Sequence, residues 1–530
     1  MLEHLHPLAL SKLSAETGDS QAAEIVLGAI NARYRHTSFG LRYLMANLGR
    51  LAARARIVET NLQQSAEQIA DALLAPSPTI VGLGIYVWNA TLALDVVRLL
   101  KARRPDLLVV LGGPEVSYEW EDQELVRLAD YTVTGEGELV FRELCSRLLD
   151  GDRPAERVMA GSTAPFEALE LPYDLYNEED LAQRVVYVEA SRGCPFRCQF
   201  CLSSLDRGVR LVPQEAFFVE MERLLERGAR DFKFIDRTFN LRIDVASAIL
   251  RFFLDRLRPG LSLHFEMVPD RLPDELRALL AAFPPRTLQL EIGIQSWDPE
   301  VGKLIERRQD AERTEANLRF LAEETHVHVH SDLIVGLPGE DLQTFARGFD
   351  RLLALRPQEI QVGILKRLRG TPIQMHDETH AMVYRAEPPY EIVSTSTMSE
   401  TEIDAMKRFA RFWDLLVNSG NFIESAPLIW STHASAFDGF YAFSEWLFAD
   451  LGRTHHIQLH ELMVRTFTYL VETLGLDHGP VALAVARDVH RTRGRKTPKI
   501  LKPHLPRGWR PAVAPERSGG LARQARHAAL

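Results

Sequence analysis

Two stretches of the chain switch repeatedly between short β-rich apolar runs and longer amphipathic periods. In the first, Ile25–Ile30, Ile57–Asn61, Ile80–Tyr86, Leu107–Leu111 and Tyr131–Thr134 read as strands, and Phe39–Leu51, Ala66–Leu74 and Leu92–Ala102 carry helical spacing between them. Such alternation predicts an open parallel sheet covered by helices on both faces. The rhythm resumes with strand candidates Val185–Val188, Phe232–Ile235, Leu263–Val268, Leu288–Ile294, His328–Val335 and Ile360–Leu365, and with helices such as Phe217–Arg227 and Ala311–Glu323. Six βα units suffice for a partial TIM-type barrel. Beyond it the period is helical only, in Glu400–Val417, Phe437–Phe448 and Leu459–Leu474. The predicted organisation is an extension (1–23), an α/β domain (24–150), a proline-bearing linker (151–180), the barrel (181–385), a helical domain (386–486) and a tail (487–530).

With 530 residues, 46% of them hydrophobic, the chain can bury several cores. No apolar run reaches about eighteen residues, and the first twenty lack a basic-then-apolar leader; a cytoplasmic protein is expected. The net charge of −10 hides an asymmetry, because residues 487–530 hold twelve Lys/Arg against two Asp/Glu. The acidic remainder argues against a globular nucleic-acid surface. The tail, broken by Pro and Gly and with Trp509 as its one aromatic, reads as a disordered solvated end. A module recruiting RNA or an acidic partner through that tail is the alternative from outside enzymology.

Three loops at predicted strand ends carry glycine: Gly84 to Asn89, Gly112 to Ser117 and Gly135 to Glu138. Each alone is ordinary turn chemistry. On one rim they let a backbone approach a large flat ligand, with Tyr86, Trp88, Asn89, Gly112, Gly113, Ser117, Gly135 and Gly137 as candidate contacts. Three of the four cysteines, Cys194, Cys198 and Cys201, lie within eight residues just past a barrel strand. That is too dense for a disulfide framework, and three thiolates fall one short of a closed tetrahedral site. A zinc site completed by an outside His and plain burial are the alternatives. Cys145, on the apolar side of a helical stretch, reads as core. His326, His328 and His330 alternate on one strand, as metal ligands or as inward polar groups of a barrel.

The Cys-x3-Cys-x2-Cys spacing, with Phe200 before the last cysteine, resembles the signature of the radical S-adenosylmethionine (SAM) superfamily. The preceding Gly-Gly-Pro and Gly-Glu-Gly-Glu loops resemble cobalamin-binding domains. Residues 24–375 together resemble the cobalamin-dependent radical SAM enzymes, and the stretch from Pro389-Tyr390-Glu391-Ile392 resembles a C-terminal domain of unknown function found in one branch of them.

This resemblance implies an α/β chain: a Rossmann-like (flavodoxin-like) cobalamin domain, a partial (β/α)6 radical SAM barrel and a helical C-terminal domain. It implies a [4Fe–4S] cluster on Cys194, Cys198 and Cys201, with SAM chelating the fourth iron. Phe200 is implied on the adenine side, Asp236 and Thr238 at the methionyl amine, Glu291 and Gln295 toward the ribose, and Gly336 beside the adenine; Glu266 is a further candidate for that cavity. Cobalamin domains of the methionine-synthase type carry Asp-x-His-x-x-Gly after the first strand. Here Asn31 to Gly40 has no Asp and a different His–Gly spacing, so His36 is not expected on cobalt. The implied reaction is cleavage of SAM to a 5′-deoxyadenosyl radical and cobalamin-dependent methyl transfer to an unactivated carbon, or a cobalamin-assisted rearrangement or cyclisation. The implied partners are an external electron donor such as flavodoxin or ferredoxin and a small-molecule or peptide substrate. A second cluster needs about three more thiolates, which argues against methylthiotransferases. Ser394, Thr395 and Ser396 are expected near the barrel mouth.

Overall fold

The computed structural model describes residues 22–492, 494–510 and 522–527. The chain divides into two compact units, 1–184 and 185–530. Most of the expected N-terminal extension lies outside the described residues.

In the first unit β1 (Ile25–Asn31), β2 (Ala55–Asn61), β3 (Ile80–Gly84), β4 (Leu108–Gly112), β5 (Tyr131–Thr134) and β6 (Val158–Ala160) form one parallel sheet in the order β2-β1-β3-β4-β5-β6. Its central strands are apolar without alternation, Ile-Val-Leu-Gly-Ala-Ile in β1 and Ile-Val-Gly-Leu-Gly in β3, because both faces are covered. Helices Ala66–Leu74 and Ala90–Arg103 pack on one face. Phe39–Ala46 and Glu138–Leu149 pack on the other, with Cys145 fully buried among them. Burial pushes the Cys145 thiol up to about 12, which makes it an inert core residue.

The expected linker is not one. Its Val158–Ala160 extends the sheet beside β5, a strand too short for any period to reveal. Its end joins a buried ion cluster. Asn177 opens helix Glu178–Gln183 with a capping box, and Asp180 in that helix lies 2.7 Å from Arg42. Arg42 also reaches Glu59 at 3.1 Å, while Arg184 bonds Glu59 at 2.7 Å and Asp180 at 2.8 Å. Burial alone would raise the Glu59 carboxyl, yet the guanidiniums of Arg42 and Arg184 hold it down at about 2.

The second unit begins with β7 (Val186–Val188), followed by a two-residue hairpin of β8 (Ser191–Arg192) and β9 (Arg210–Leu211). Then come β10 (Asp231–Phe234), β11 (Ser262–Met267), β12 (Leu288–Gln295), β13 (His328–Val335) and β14 (Glu359–Ile364). Their order, β14-β13-β12-β11-β10-β7, makes a six-stranded parallel partial barrel. In β12 and β13 fully buried apolar residues alternate with half-buried Glu291, Gly293, Gln295, His330 and Asp332. A partial barrel leaves an edge, and at β14 it is closed by a side chain. Asn418 donates to Ile360 O at 2.9 Å and accepts from Ile360 N at 3.0 Å, imitating a neighbouring strand. It stands at the end of a π-helical turn, Asp414–Asn418, that continues helix Glu400–Trp413.

The remaining C-terminal helices are Ala436–Leu451, Leu459–Thr468 and His478–His490, with a buried aromatic group around Phe409, Trp413, Phe437 and Phe440. The tail departs from the expected disorder wherever it is described. Leu501 is fully buried, and helix Ala522–His527 brings Arg523 to Glu359 at 3.0 Å and Asp414 at 2.7 Å. Arg526 donates to Ser419 O, and Arg491 to Arg526 O. These cations are spent on the protein itself, which removes the ground for a free basic arm at those positions; residues 511–521 lie outside the described residues. His328 pairs with Glu359 at 2.8 Å, so inward barrel polarity accounts for that strand.

Glu59 ties the ion cluster to acid stability. Its folded value lies below the ordinary 4.5, so its contribution is fully present above about pH 4.5 and is lost as pH falls toward 2. Glu59→Gln, which leaves Arg42 and Arg184 to share the one carboxylate of Asp180, is expected to cost about 3 kcal/mol at pH 7 and to flatten the acid limb of the stability curve, as measured by chemical denaturation between pH 7 and 3.

Candidate active site

In the first unit the sheet order reverses at β1, and the carboxyl ends of β1 and β3 frame the crevice where such sheets take ligands. Asn89 spans it. Its amide donates to Ile30 O at 3.2 Å and Gly84 O at 3.1 Å, and its Oδ1 accepts from Tyr86 N at 2.9 Å. Only 1% exposed, Asn89 is occupied in holding the rim and is not presented to a ligand. Ser117 acts alike: its hydroxyl donates to Gly113 O at 2.8 Å and accepts from Gly135 N at 3.0 Å, stitching the loops after β4 and β5 together. Gly113, at φ 102°, has an ideal Cβ position 2.5 Å from Ile85 O, so only glycine lets these loops touch. Gly112 lies against Val133 O, and Gly137 precedes helix Glu138–Leu149. Gly135 faces open space. The ring of Tyr86 stacks on Trp88 at 4.3 Å, and Trp88 is 50% exposed. An open glycine on one loop and a flat exposed aromatic on another, both at strand carboxyl ends, suit the approach of a corrin.

His36 shows how the loop after β1 is used instead. Its carbonyl accepts from Asn31 Nδ2 at 3.0 Å and from Arg184 Nη2 at 2.5 Å, which ties the loop to the ion cluster.

In the second unit the cysteine loop leaves β7 through the β8/β9 hairpin. Gly193, at φ 89°, has an ideal Cβ position 2.3 Å from Gly208 O, so glycine is required where the two legs of the loop meet. Cys194 N donates to Asp206 O at 2.8 Å, Ser204 Oγ to Cys201 O at 2.7 Å and Gln199 N to Ile305 O at 3.1 Å. From the segment after the barrel, Ile373 N donates to Gln199 O at 3.0 Å, and His376 meets Gln199 Oε1 at 2.5 Å.

All three sulfurs border one cavity of about 190 Å³ at the carboxyl ends of the barrel strands. No disulfide joins them. Burial raises the Cys194 thiol, and its neighbours Cys201 and Cys198 add to the shift. Among the described residues no three His, Cys, Asp or Glu side chains are gathered so as to hold a single ion.

Phe200, Thr238, Glu266, Glu291 and Gln295 border this cavity. Glu291 is already engaged, by His264 at 3.0 Å and Lys233 at 3.5 Å. Burial would raise its carboxyl, but the hydrogen bond with His264 and the nearby Lys233 keep it well below the usual range. Glu266 pairs with Arg237 at 3.1 Å. The unsatisfied acceptors lie elsewhere. Gln295 Oε1 and Asp332 Oδ1 are buried on the cavity wall without a hydrogen bond, the latter 3.6 Å from His330 Nε2. Two such acceptors suit a ligand with adjacent hydroxyls. Asp332 was not singled out from the sequence; its lateral chain position matters only because β13 neighbours β12.

Two implied contacts are corrected. Gly336 does not border the cavity: at φ 85° it lets Ile392 approach, where an ideal Cβ would stand 2.7 Å from Ile392 Cγ2. Asp236 turns away from it. Its carboxylate accepts from Ala190 N at 3.0 Å and Ser191 Oγ at 2.6 Å, and burial lifts it to about 7 against those hydrogen bonds. Asp236 therefore braces the start of the cysteine loop. Asp236→Ala is expected to lower iron affinity roughly tenfold while leaving the chain folded, read as iron bound per chain beside the circular-dichroism melt.

Comparison with known proteins agrees with this geometry. Family models match in chain order: a B12 binding domain over residues 25–145, the radical SAM superfamily over 188–352 and a protein of unknown function (DUF4080) over 378–502. The chain is 27% identical over 345 residues to a 2-(S-pantetheinyl)-carbapenam-3-carboxylate methyltransferase of Streptantibioticus cattleyicolor, covering 59% of this chain and 50% of that protein. It is 27% identical over 405 residues to the cobalamin-dependent radical SAM methyltransferase TokK of Streptomyces tokunonensis, covering 68% and 58%. The chain thus spans only half to three-fifths of the length of these relatives. Among solved structures, the cobalamin-dependent S-adenosylmethionine radical enzyme OxsB shares the fold with a TM-score of 0.59 at 13% identity, over 88% of this chain and 84% of that one. The cysteine loop at the barrel's carboxyl end thus lies in the stretch, 188–352, that matches the radical SAM superfamily, with a match to the B12 binding domain ahead of it.

Proposed function

We propose that the protein is a cobalamin-dependent radical SAM methyltransferase acting on an unactivated carbon. The observation that carries this reading is the meeting, in one cavity, of three free thiols with the unpartnered acceptors of Gln295 and Asp332. When bound, a [4Fe–4S] cluster supplies the electron that splits SAM into methionine and a 5′-deoxyadenosyl radical, and cobalamin supplies the methyl group. The chain's own part is to bind and orient. Cys194, Cys198 and Cys201 hold three irons. Gln295 and Asp332 accept from the ribose hydroxyls, Phe200 packs against the adenine, and the Thr238 hydroxyl meets the methionyl amine. The partners of Glu266 and Glu291 keep two further carboxylates from repelling the SAM carboxylate. On the first unit, Trp88, Tyr86 and the loop at Gly135 receive the corrin.

Both named relatives are methyltransferases, which supports methyl transfer over a rearrangement. Only buried Cys145 remains beyond the triplet, too few thiolates for a relay cluster in this chain, so the electron is drawn from an external donor such as flavodoxin or ferredoxin. No described helix is long and apolar enough to cross a membrane, and the reading places the enzyme in the reducing cytoplasm.

Anaerobic turnover with methyl-labelled SAM and a cell extract tests the proposal. Wild-type protein is expected to give 5′-deoxyadenosine and a labelled product, and Cys198→Ala neither, with its iron lost. 5′-Deoxyadenosine without any labelled product shifts the reading to rearrangement or cyclisation. Asp332→Asn retains an acceptor and is expected to raise the KM for SAM by less than Asp332→Ala, whose loss of the hydrogen bond costs about 1–2 kcal/mol, roughly tenfold.

A further inference from the structure

The turn after helix Pro299–Leu304 delivers one guanidinium to the cysteine loop. Arg307 N bonds Gly302 O at 2.8 Å, and Glu306 is held at φ 51°, in the left-handed region. Such a residue stores about 1 kcal/mol or more and persists only where its surroundings fix it. The turn aims Arg307 at the cavity wall. Its Nη1 stands 3.5 Å from Cys198 Sγ, and its Nη2 donates to Gly293 O.

That carbonyl is available for a second local reason. The register of β12 against β13 breaks between Gly293 and Gln295, and Gln295 adopts φ 70°. Gly293 also leaves room, since an ideal Cβ there would lie 3.4 Å from Arg307 Nη2 and 2.3 Å from Gln295 Nε2. Two left-handed residues, a bulge and a glycine thus converge on the placement of a single side chain. The fork is shared: one nitrogen is anchored on a backbone carbonyl, which fixes the other at the sulfur. The same turn contacts the loop again through Ile305 O, which accepts from Gln199 N at 3.1 Å.

We propose that Arg307 sets the reduction potential of the cluster, by hydrogen-bonding the sulfur of Cys198 from a guanidinium anchored on Gly293. The inference rests on the cluster reading above. Reduction adds one electron, taken from an external low-potential donor, and increases negative charge on the ligand sulfurs. A fixed N–H donor carrying full positive charge stabilises the reduced form more than the oxidised one, and so raises the potential. Arginine keeps its charge at every working pH, so the bias is permanent. Arg307 acts here through Cys198 and is a positioning residue.

The test is an EPR-monitored redox titration of the full chain, loaded with iron and sulfide under anaerobic conditions, with and without SAM. Wild type is compared with Arg307→Gln, which can still donate to Gly293 O, and with Arg307→Lys. At equal iron content and without SAM, the Gln variant is expected to shift the one-electron equilibrium at least tenfold toward the oxidised form, about 59 mV more negative. Lysine is expected to restore part of the shift, because charge returns without the fork. An unchanged potential in an iron-loaded Gln variant overturns the proposal. So does a shift confined to SAM-loaded samples, which assigns Arg307 to the nucleotide. Should the Gln variant lose iron, the Lys variant decides: a negative shift supports the proposal and wild-type potential overturns it. Wild-type protein without a 4Fe signal overturns the cluster reading itself, and this inference with it.

Discussion

Two hydrogen bonds to the buried carboxylate of Asp236, from Ala190 N–H and the Ser191 hydroxyl, decide where the first barrel strand lets go of the chain. Everything the cavity can do follows from that release point. β7 is only three residues long, so its own ladder holds it weakly, and a carboxylate from the adjoining strand end does what further ladder bonds would do in a longer one. The hairpin, the crossing at Gly193 and the contacts of Gln199 then place three sulfurs at one opening. A flexible loop with the same cysteines would lose ordering entropy on every binding event; this one is ordered by its own protein partners.

The barrel interior shows a division of labour among acids. Glu266 and Glu291 are matched by Arg237, His264 and Lys233; Glu291 is held below the usual carboxylate range, whereas burial outweighs Arg237 and raises Glu266. Asp332 is pushed further up than Glu266. Burial, then the neighbouring Glu291 and Glu266, raise its carboxyl well above the ordinary value. A group in that condition gains more from a ligand hydroxyl than its matched neighbours do, since they already have partners.

Much of this architecture was legible because it is written in local signals. Continuous apolar runs gave β1 and β3, alternation gave β12 and β13, and the cysteine spacing named its own loop. What escaped had no periodic signature. Val158–Ala160 is three residues in a polar stretch, and only its neighbour β5 makes it a strand. Asp236 sits at a strand end where a ligand contact and a backbone brace look identical in one dimension. Asn89 and Ser117 were similarly ambiguous: both are polar, both lie on the expected rim, and both are used up by backbone groups. Arg307 belongs to a run of charges, and its direction depends on one left-handed residue that no propensity predicts. The ordered part of the tail was hidden by composition, because its cations look solvated until Glu359, Asp414 and the carbonyl of Ser419 are brought to them.

The imitation of a strand by Asn418 has a consequence for association. The last strand of an open barrel is a template on which a stranger's extended segment can add, residue by residue, toward aggregates. Here an incoming chain would have to displace an amide that already satisfies both groups of Ile360, and would gain nothing at that rung of the ladder. The helical domain therefore guards solubility as well as fold. A destabilised C-terminal half would then be felt first as clumping of otherwise intact barrels, through the strand that Asn418 leaves bare.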